Sequence, residues 1–226
     1  MHLFSGLLNQ SLGKTKVMKK IIIFGNNAEA TYHPFDAIKD YFKSVLSDGF
    51  EITLSNEISD LDKLNSEDFD AAISYFDLWD KTIPSQSIQN ILSYINSGGG
   101  FLVIHNGISL QNDHEFRKMI GAEFIGHPPY QKIDYMISKA HSITEGINNF
   151  SLNEELYMFN FYEFDTFTVL MESTSEDGTS SPALWIKDTG KGRIAYLAPG
   201  HDKKAFENEN IQKLIRNAAN WCSTNA

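Results

Sequence analysis

The chain has 226 residues, of which 42% are hydrophobic and 21% are charged, a composition typical of a globular protein that buries its own core. Its net charge of −10 disfavours contact with phosphate backbones and anionic lipid, so we expect neither nucleic acid nor a membrane as a partner. The single cysteine, Cys222, excludes an intrachain disulfide and a cysteine-rich zinc module, which fits a reducing, cytoplasmic location.

The first 17 residues differ in character from the rest of the chain. Their apolar part, residues 3–8, precedes Lys14 and Lys16, whereas a secretory signal carries its basic residues first. No apolar stretch reaches the ~20 residues that a membrane-spanning helix needs. We therefore predict that residues 1–17 form a flexible arm, or lie upstream of a second possible start at Met18, and that residues 18–226 form a single domain.

Strand and helix patterns alternate over the first half of this domain. Short apolar runs that end in glycine or polar loops predict buried strands, and apolar positions three and four residues apart predict helices. The predicted strands are 19–24, 50–54, 69–74 and 101–104, with helices opening at Pro34 and Pro84 and a helical stretch around Leu61 and Leu64. This order implies right-handed crossovers and a parallel sheet covered by helices on both faces.

The pattern changes after residue 121. Four strand-like segments separated by turn clusters predict an antiparallel extension of the same sheet, namely 130–137, 154–161, 167–172 and 182–187. A last core strand at 193–198 leads into a closing helix with Cys222 on its apolar face. The predicted fold is a three-layer α/β domain with a flavodoxin-like parallel sheet and an antiparallel extension.

Three histidines follow predicted strands of the parallel sheet. His33 lies in the loop after the first strand, His105 directly follows the fourth, and His201 directly follows the last, next to Asp202. Loops after parallel strands emerge at one edge of a sheet, so these imidazoles should converge in one cleft. A lone loop histidine is more often a surface or capping residue. Three at one edge favour proton transfer, or a divalent metal such as zinc bound by His33, His105 and His201.

The turn at 103–107 has the strand–turn–glycine form of a nucleophile elbow, but the elbow position holds His105. No cysteine is available there and Ser109 is out of register, so covalent acyl chemistry is not expected. Acid–base work by histidine and carboxylate, metal binding, and the absence of catalysis all remain open.

Further polar and aromatic residues are predicted to lie near this cleft. Glu154-Glu155-Leu156-Tyr157 offers two carboxylates and a phenol, although the two glutamates equally suit the solvation of a strand edge. Aromatic rings in loops suit stacking on the apolar face of a sugar, with ordinary loop packing as the alternative. We assign His105, His201 and Glu155 to proton transfer. The candidates for substrate binding are His33, Tyr32, Trp79, Asn106, His127, Tyr157 and Asp202.

An ordered set of motifs resembles the trehalose-utilisation (ThuA-like) family over roughly residues 19–223. The motifs are Gly98-Gly99-Gly100-Phe101 through His105-Asn106-Gly107, Glu154-Glu155-Leu156-Tyr157, Gly190-Lys191-Gly192-Arg193, Pro199-Gly200-His201-Asp202 and Asn217-Ala218-Ala219-Asn220-Trp221. That family looks like the class I glutamine amidotransferase fold without its cysteine nucleophile. The resemblance therefore implies this fold and excludes glutamine amidotransferase activity.

The resemblance also implies roles for individual residues. His105 matches the family's elbow histidine, Glu155 its acid, His201 with Asp202 its Gly-His-acid pair, and His33 its loop histidine. The chain departs from the family pattern where the usual His-Pro is His141-Ser142, and in the spacing around Gly126-His127-Pro128, so the identity of a fourth histidine stays open.

The implied function lies in bacterial carbohydrate metabolism, with trehalose or a related disaccharide as the sugar. We expect a cytoplasmic His/Glu acid–base enzyme acting on a small-molecule sugar, with or without a divalent metal such as zinc. The alternatives are a non-catalytic sugar-binding or regulatory module and an interaction protein with a vestigial cleft. Sheets of this type often pair, so a homo-oligomer also stays open.

Overall fold

The computed structural model describes residues 18–162 and 166–224, so the arm predicted at 1–17 lies outside the described residues. Within them the strands are β1 (Lys19–Gly25), β2 (Phe50–Ser55), β3 (Ala71–Tyr75), β4 (Gly100–Ile104), β5 (Ala122–Gly126), β6 (Gln131–Ile137), β7 (Phe150–Glu154), β8 (Met158–Phe161), β9 (Thr168–Ser175), β10 (Ser180–Thr189) and β11 (Gly192–Leu197). The helices are α1 (Lys39–Leu46), α2 (Ser85–Asn96), α3 (His114–Ile120), α4 (Lys203–Glu207) and α5 (Glu209–Cys222). Short 3-10 helices cover Phe35–Ala37, Ile58–Lys63 and His105–Asn112.

Nine of these strands form one sheet in the order β2-β1-β3-β4-β11-β10-β9-β6-β7. The pairs from β2 to β11 are parallel, and the pairs from β11 to β7 are antiparallel. β5 and β8 form a separate two-stranded antiparallel sheet. The predicted fold class is therefore confirmed: a mixed α/β sheet whose parallel part carries an antiparallel extension.

Helices cover the parallel strands in two layers, with α1 beside α5 and α2 beside α3. α2 buries Ile88, Ile91 and Ile95, three or four residues apart on one face, and each such side chain contributes about 1.5–3 kcal/mol by its burial. Every residue of β3 and β4 is buried, as expected of central strands covered on both faces. Cys222 at the end of α5 is a core residue, as predicted. None of the helices in the described ranges has the length and apolarity to span a bilayer.

The structure corrects the strand predicted at 154–161. β7 ends at Glu154 and β8 begins at Met158, and the two strands belong to different sheets. The side chain of Glu154 accepts a hydrogen bond from the backbone N–H of Glu155 at 2.8 Å, a local contact that competes with ladder pairing. Residues 155–157 therefore leave the sheet as an irregular segment at its edge.

The turn after β4 has a strained backbone held by close packing. His105 has φ +46°, in the left-handed region that residues other than glycine rarely adopt. Behind it, a Cβ atom on Gly107 would lie 2.0 Å from the carbonyl oxygen of Ser74 in β3. Oγ of Ser74 donates a hydrogen bond to the carbonyl oxygen of Gly107 at 3.0 Å. Only glycine allows β3 and this elbow to approach so closely, and the approach fixes the position of His105.

We expect Gly107→Ala to lower the free energy of unfolding by about 2–3 kcal/mol, because the new methyl group meets a backbone oxygen that cannot move alone. Urea denaturation measures the loss. Gly178→Ala in the turn between β9 and β10 is the control: its φ is +86° but no atom lies within 4 Å of a Cβ there. Only left-handed strain of about 1 kcal/mol acts at that position. Equal losses in the two variants would contradict the packing argument.

Candidate functional site

The carboxyl ends of the parallel strands bring three histidines together. His33 follows β1 through a loop, His105 directly follows β4, and His201 follows β11. The ring centroid of His33 lies 4.9 Å from those of His105 and His201, which are themselves 5.5 Å apart. The strand order reverses between β1 and β3, and the crevice at such a reversal is where open α/β sheets bind ligands.

The irregular segment after β7, residues 155–157, adds Glu155 to this cluster. Its Oε2 atom lies 3.2 Å from Nδ1 of His201 and 3.5 Å from Nε2 of His105. Nε2 of His33 lies 2.9 Å from the same Nδ1 of His201. One nitrogen or oxygen atom of each of the four residues lies within 4.8 Å of the others, a spacing compatible with ligands around a single metal ion.

The ring nitrogens that point away from the cluster face oxygen acceptors. Nδ1 of His105 donates to the carbonyl oxygen of Ala198 at 2.7 Å. Nδ1 of His33 lies 3.6 Å from Oδ2 of Asp77, a buried carboxylate that also accepts the backbone N–H groups of Tyr32 and His33 at 3.0 Å each. The hydrogen bond to Ala198 assigns the ring proton of His105 to Nδ1, whereas 3.6 Å is too long for a hydrogen bond between His33 and Asp77. Nε2 of His105 therefore presents a lone pair to the cluster, and one proton lies between Nε2 of His33 and Nδ1 of His201.

Burial and mutual contact set the charges of these groups. His105 is completely buried, which lowers its pKa to about 3, so its ring is neutral. Burial alone would raise the pKa of Glu155, but its contacts with His105 and His201 outweigh burial and bring that pKa well below its usual range. Burial acts to lower the pKa of His201, and its contact with Glu155 reverses the direction and raises it.

The cluster opens into a cavity of about 400 Å³ with aromatic walls. Tyr157 stacks on His105 with ring centroids 4.0 Å apart, and Phe124 packs 4.3 Å from Tyr157. Nε2 of His127 lies 3.6 Å from Oε1 of Glu155, on the side of the carboxylate away from the other histidines. The residues that line the cavity are Tyr32, His33, Trp79, Phe124, His127, Glu155 and Tyr157. The cavity thus suits a small ligand with a flat apolar face and a polar edge.

Two residues predicted to bind substrate do not line this cavity. Asn106 is completely buried beneath the elbow, where its Nδ2 donates to the carbonyl oxygen of Tyr75 at 2.9 Å. Asp202 caps α4 by accepting the N–H of Ala205, and its other oxygen accepts a hydrogen bond from the Tyr130 hydroxyl at 3.1 Å. The contacts that these two side chains make are structural.

The histidine that joins the cleft from the middle of the chain is His127. The ring of His141, the other candidate, packs against Trp221 at a centroid distance of 5.5 Å. Sequence reasoning did not single out Asp77 or Phe124. Asp77 follows β3, so the strand-end rule that identified the histidines applies to it as well, whereas no local signal marked Phe124 on β5.

Glu154 is completely buried and holds two segments of the site by their backbones. Its Oε1 accepts the N–H groups of Gly200 at 2.7 Å and His201 at 2.8 Å, and its Oε2 accepts the N–H of Glu155 at 2.8 Å. Burial raises the pKa of Glu154 to about 7, and the three amide donors act in the opposite direction. Glu154 therefore does not solvate a strand edge, which is one of the two interpretations that the sequence leaves open.

We expect Glu154→Gln to lower the free energy of unfolding by about 2–3 kcal/mol, because the amide nitrogen replaces an acceptor oxygen and leaves a buried N–H without a partner. Chemical denaturation measures the loss. Glu172→Gln on β9 is the matched control, since the described residues show no hydrogen bond to that partly exposed carboxyl, and it should change stability by less than about 0.5 kcal/mol. A similar loss in both variants would contradict the role given to Glu154 in holding the backbones of Gly200 and His201.

Comparison with known proteins places the chain in a family. Among solved structures it is similar to a ThuA-like protein from Parabacteroides merdae, with 16% identity and a TM-score of 0.75 over 92% of this chain and 90% of that one. It is similar in the same way to a ThuA-like protein from Bacteroides uniformis, with 18% identity and a TM-score of 0.73 over 90% of this chain and 91% of that one. It is also similar to the cytoplasmic protein STM1381 of Salmonella typhimurium, with 16% identity and a TM-score of 0.61 over 90% of this chain and 99% of that one. At these identities the likeness shows the fold alone. A search of curated proteins finds no match. The profile of the ThuA family, described as trehalose utilisation, matches residues 20–222, so the chain belongs to the ThuA family.

Proposed function

We propose that this cleft is the active site of a cytoplasmic, bacterial carbohydrate-processing enzyme in which His33, His105, His201 and Glu155 hold one divalent metal ion, with zinc as the first candidate. The observation that carries the proposal is the convergence of four nitrogen and oxygen atoms, one from each of these residues, within 4.8 Å of one another. The sugar is supported by the aromatic cavity and by the description of the family as trehalose utilisation. The setting is supported by the bacterial origin of the similar structures, one of which is called a cytoplasmic protein.

The four converging atoms have too few hydrogens to satisfy one another. Nε2 of His105 and the carboxylate of Glu155 are acceptors, and whichever ring donates, the contact between His33 and His201 holds one proton between Nε2 of His33 and Nδ1 of His201. Nδ1 of His201 lies 2.9 Å from Nε2 of His33 and 3.2 Å from Oε2 of Glu155. Nε2 of His105 has no hydrogen-bond partner within residues 18–162 and 166–224. A cation at the centre would satisfy all four atoms at once, whereas one shared proton cannot.

The donor set and its surroundings fit zinc. Neutral imidazole nitrogens and a carboxylate are ordinary zinc ligands, at about 2.0–2.2 Å from the ion. The carboxylate of Asp77 behind His33 and the carbonyl of Ala198 behind His105 match the partners that orient metal-binding histidines. When bound, a divalent ion of this kind polarises substrate oxygens as a Lewis acid.

The residues around the cluster would bind and orient the sugar. Trp79, Phe124 and Tyr157 line the cavity with aromatic rings, against which the apolar face of a pyranose can pack. Burial raises the pKa of the Tyr157 phenol well above its usual value, so this hydroxyl stays protonated and can donate to a sugar oxygen. His127, beside Oε1 of Glu155, is within reach of a hydroxyl group on the cavity side and can exchange a proton with it.

Cysteine chemistry is not part of this proposal. Cys222 is buried, and burial raises the pKa of its thiol to about 12. Its backbone carbonyl packs against Gly100, at the start of β4, whereas His105 follows the end of the same strand. The thiol and the elbow therefore belong to opposite ends of the sheet, which supports the view that the chain is not a glutamine amidotransferase.

The metal proposal makes a direct prediction for the purified full chain. After loading with zinc and desalting, elemental analysis should find about one ion per chain, and His105→Ala should retain less than about a tenth of it, since the ion loses a buried ligand. His114→Ala, which changes an exposed histidine at the start of α3, should bind zinc as the wild type does. A wild type that retains no zinc, cobalt or manganese would overturn the metal site.

We expect Asp77→Asn to weaken zinc binding by about 10–100-fold, because the variant orients the ring of His33 less firmly. Competition with a chromophoric chelator measures the affinity, and the visible absorption of the cobalt-loaded protein should change with the altered ligand geometry. Asp80→Asn, an exposed neighbour, is the control. Equal zinc affinities in the two variants would contradict the role given to Asp77.

Turnover distinguishes the enzyme from the alternative of a non-catalytic sugar-binding or regulatory module. The zinc-loaded protein is incubated with a panel of oxidised and unoxidised disaccharides, and products are sought by mass spectrometry. A product that disappears in the His105→Ala variant supports the enzyme. Thermal stabilisation by a sugar without any product supports the module.

A further inference from the structure

A second cavity, of about 470 Å³, adjoins the aromatic cavity described above. We call the aromatic cavity the inner chamber and this second one the outer chamber. Tyr32 and Trp79 line both, so the two chambers share a wall. Glu29, Thr31, Asp80 and Lys81 give the outer lining its accessible polar groups, whereas the carboxylate of Asp77 is buried beside His33. Each chamber has a volume in the range of small-molecule sites.

The floor of the outer chamber is a fixed turn rather than a loose loop. The backbone N–H of Leu78 donates to Oγ of Ser109 at 2.9 Å, and the N–H of Lys81 donates to the carbonyl oxygen of Leu78 at 3.0 Å. Nδ2 of Asn112 donates to the carbonyl oxygens of Trp79 at 2.9 Å and Lys81 at 2.8 Å. These bonds hold the backbones of Leu78, Trp79 and Lys81 in place.

Glu29 sits opposite Lys81 in a strained conformation. Its φ is +65°, in the left-handed region, which costs about 1–2 kcal/mol for a residue other than glycine. Oε2 of Glu29 lies 2.7 Å from Nζ of Lys81, and 63% of the one side chain and 45% of the other are exposed. An ion pair this exposed contributes little to stability, so folding alone does not account for the strain. Strained residues of this kind are concentrated at binding sites.

The charges of the two chambers define the ligand that fits. Glu29 and Asp80 outnumber Lys81 in the outer chamber, and Glu155 lies in the inner one. A phosphate or carboxylate group on the ligand would be repelled, whereas hydroxyl groups can donate to these carboxylates and accept from Lys81. Tyr32, 70% exposed, offers a ring face at the shared wall.

We propose that the outer chamber is a second sugar subsite. It holds one unit of an uncharged glycoside, with Lys81 and Glu29 hydrogen-bonded to its hydroxyl groups, while the other unit lies in the inner chamber beside the histidine cluster. This inference rests on the proposed function, because the inner unit is taken to be a sugar. It adds that the non-reacting unit is recognised separately, and that sugar phosphates are excluded.

Calorimetric titration of the zinc-loaded full chain with trehalose, glucose and trehalose 6-phosphate tests the subsite. Lys81→Ala should weaken trehalose binding about tenfold or more, the loss expected for one hydrogen bond to a charged group, and should leave glucose binding within about twofold. The wild type should bind trehalose 6-phosphate at least about tenfold more weakly than trehalose. Lys63→Ala removes a comparable exposed pair, with Asp60 at 2.6 Å, and should change none of these affinities.

Each other outcome has a definite meaning. If Lys81→Ala weakens trehalose and glucose equally, or weakens neither, the second subsite is overturned while the proposed function stands. If trehalose 6-phosphate binds as tightly as trehalose, the exclusion of anionic sugars is overturned. If the wild type binds none of the three sugars, the sugar part of the proposed function fails and the subsite fails with it. The zinc measurement described above is independent of all three results.

Discussion

The buried carboxylate of Glu154 joins the antiparallel extension of the sheet to its parallel part at the site. Glu154 ends β7 at one edge of the sheet, yet it accepts backbone N–H groups of Gly200 and His201 beyond the end of β11. β10, β9 and β6 lie between those strands, so a flat sheet would separate them by about 19 Å. The extension must therefore curve, and the register shifts between Pro182 and Trp185 lie in the strands that curve. Through this contact the extension delivers Glu155 to histidines that the parallel strands hold.

The site collects features that stability alone would not favour. His105 combines a left-handed backbone with a completely buried imidazole whose Nε2 has no hydrogen-bond partner among the described residues. Its lone pair faces Oε2 of Glu155 at 3.5 Å. Such strain persists only where the surrounding structure is firm, and here the buried strands β3 and β4 and the close packing at Gly107 supply that firmness. In the function proposed above, a bound cation would remove most of this repulsion.

The elbow shows how one scaffold can change its chemistry through one residue. A strand that ends in a sharp turn presents the next side chain at the cleft, and in hydrolases with this turn that side chain is a nucleophile. In this chain the position holds His105, which meets Glu155 and stacks on Tyr157. The fold is that of the family, but the function follows from the side chains grouped at the carboxyl edge.

The sequence by itself determined the parallel sheet, because buried strands and amphipathic helices leave local patterns that need no distant partner. It also determined that His33, His105 and His201 share one edge, since strand polarity follows from the alternation of strands and helices. Only the tertiary structure decided that Glu155 joins them, that Asp77 stands behind His33, and that β5 brings Phe124 to the cleft. These placements depend on contacts such as that between Glu154 and Gly200, which are 46 residues apart, and no local period encodes how an antiparallel extension curves back on its sheet.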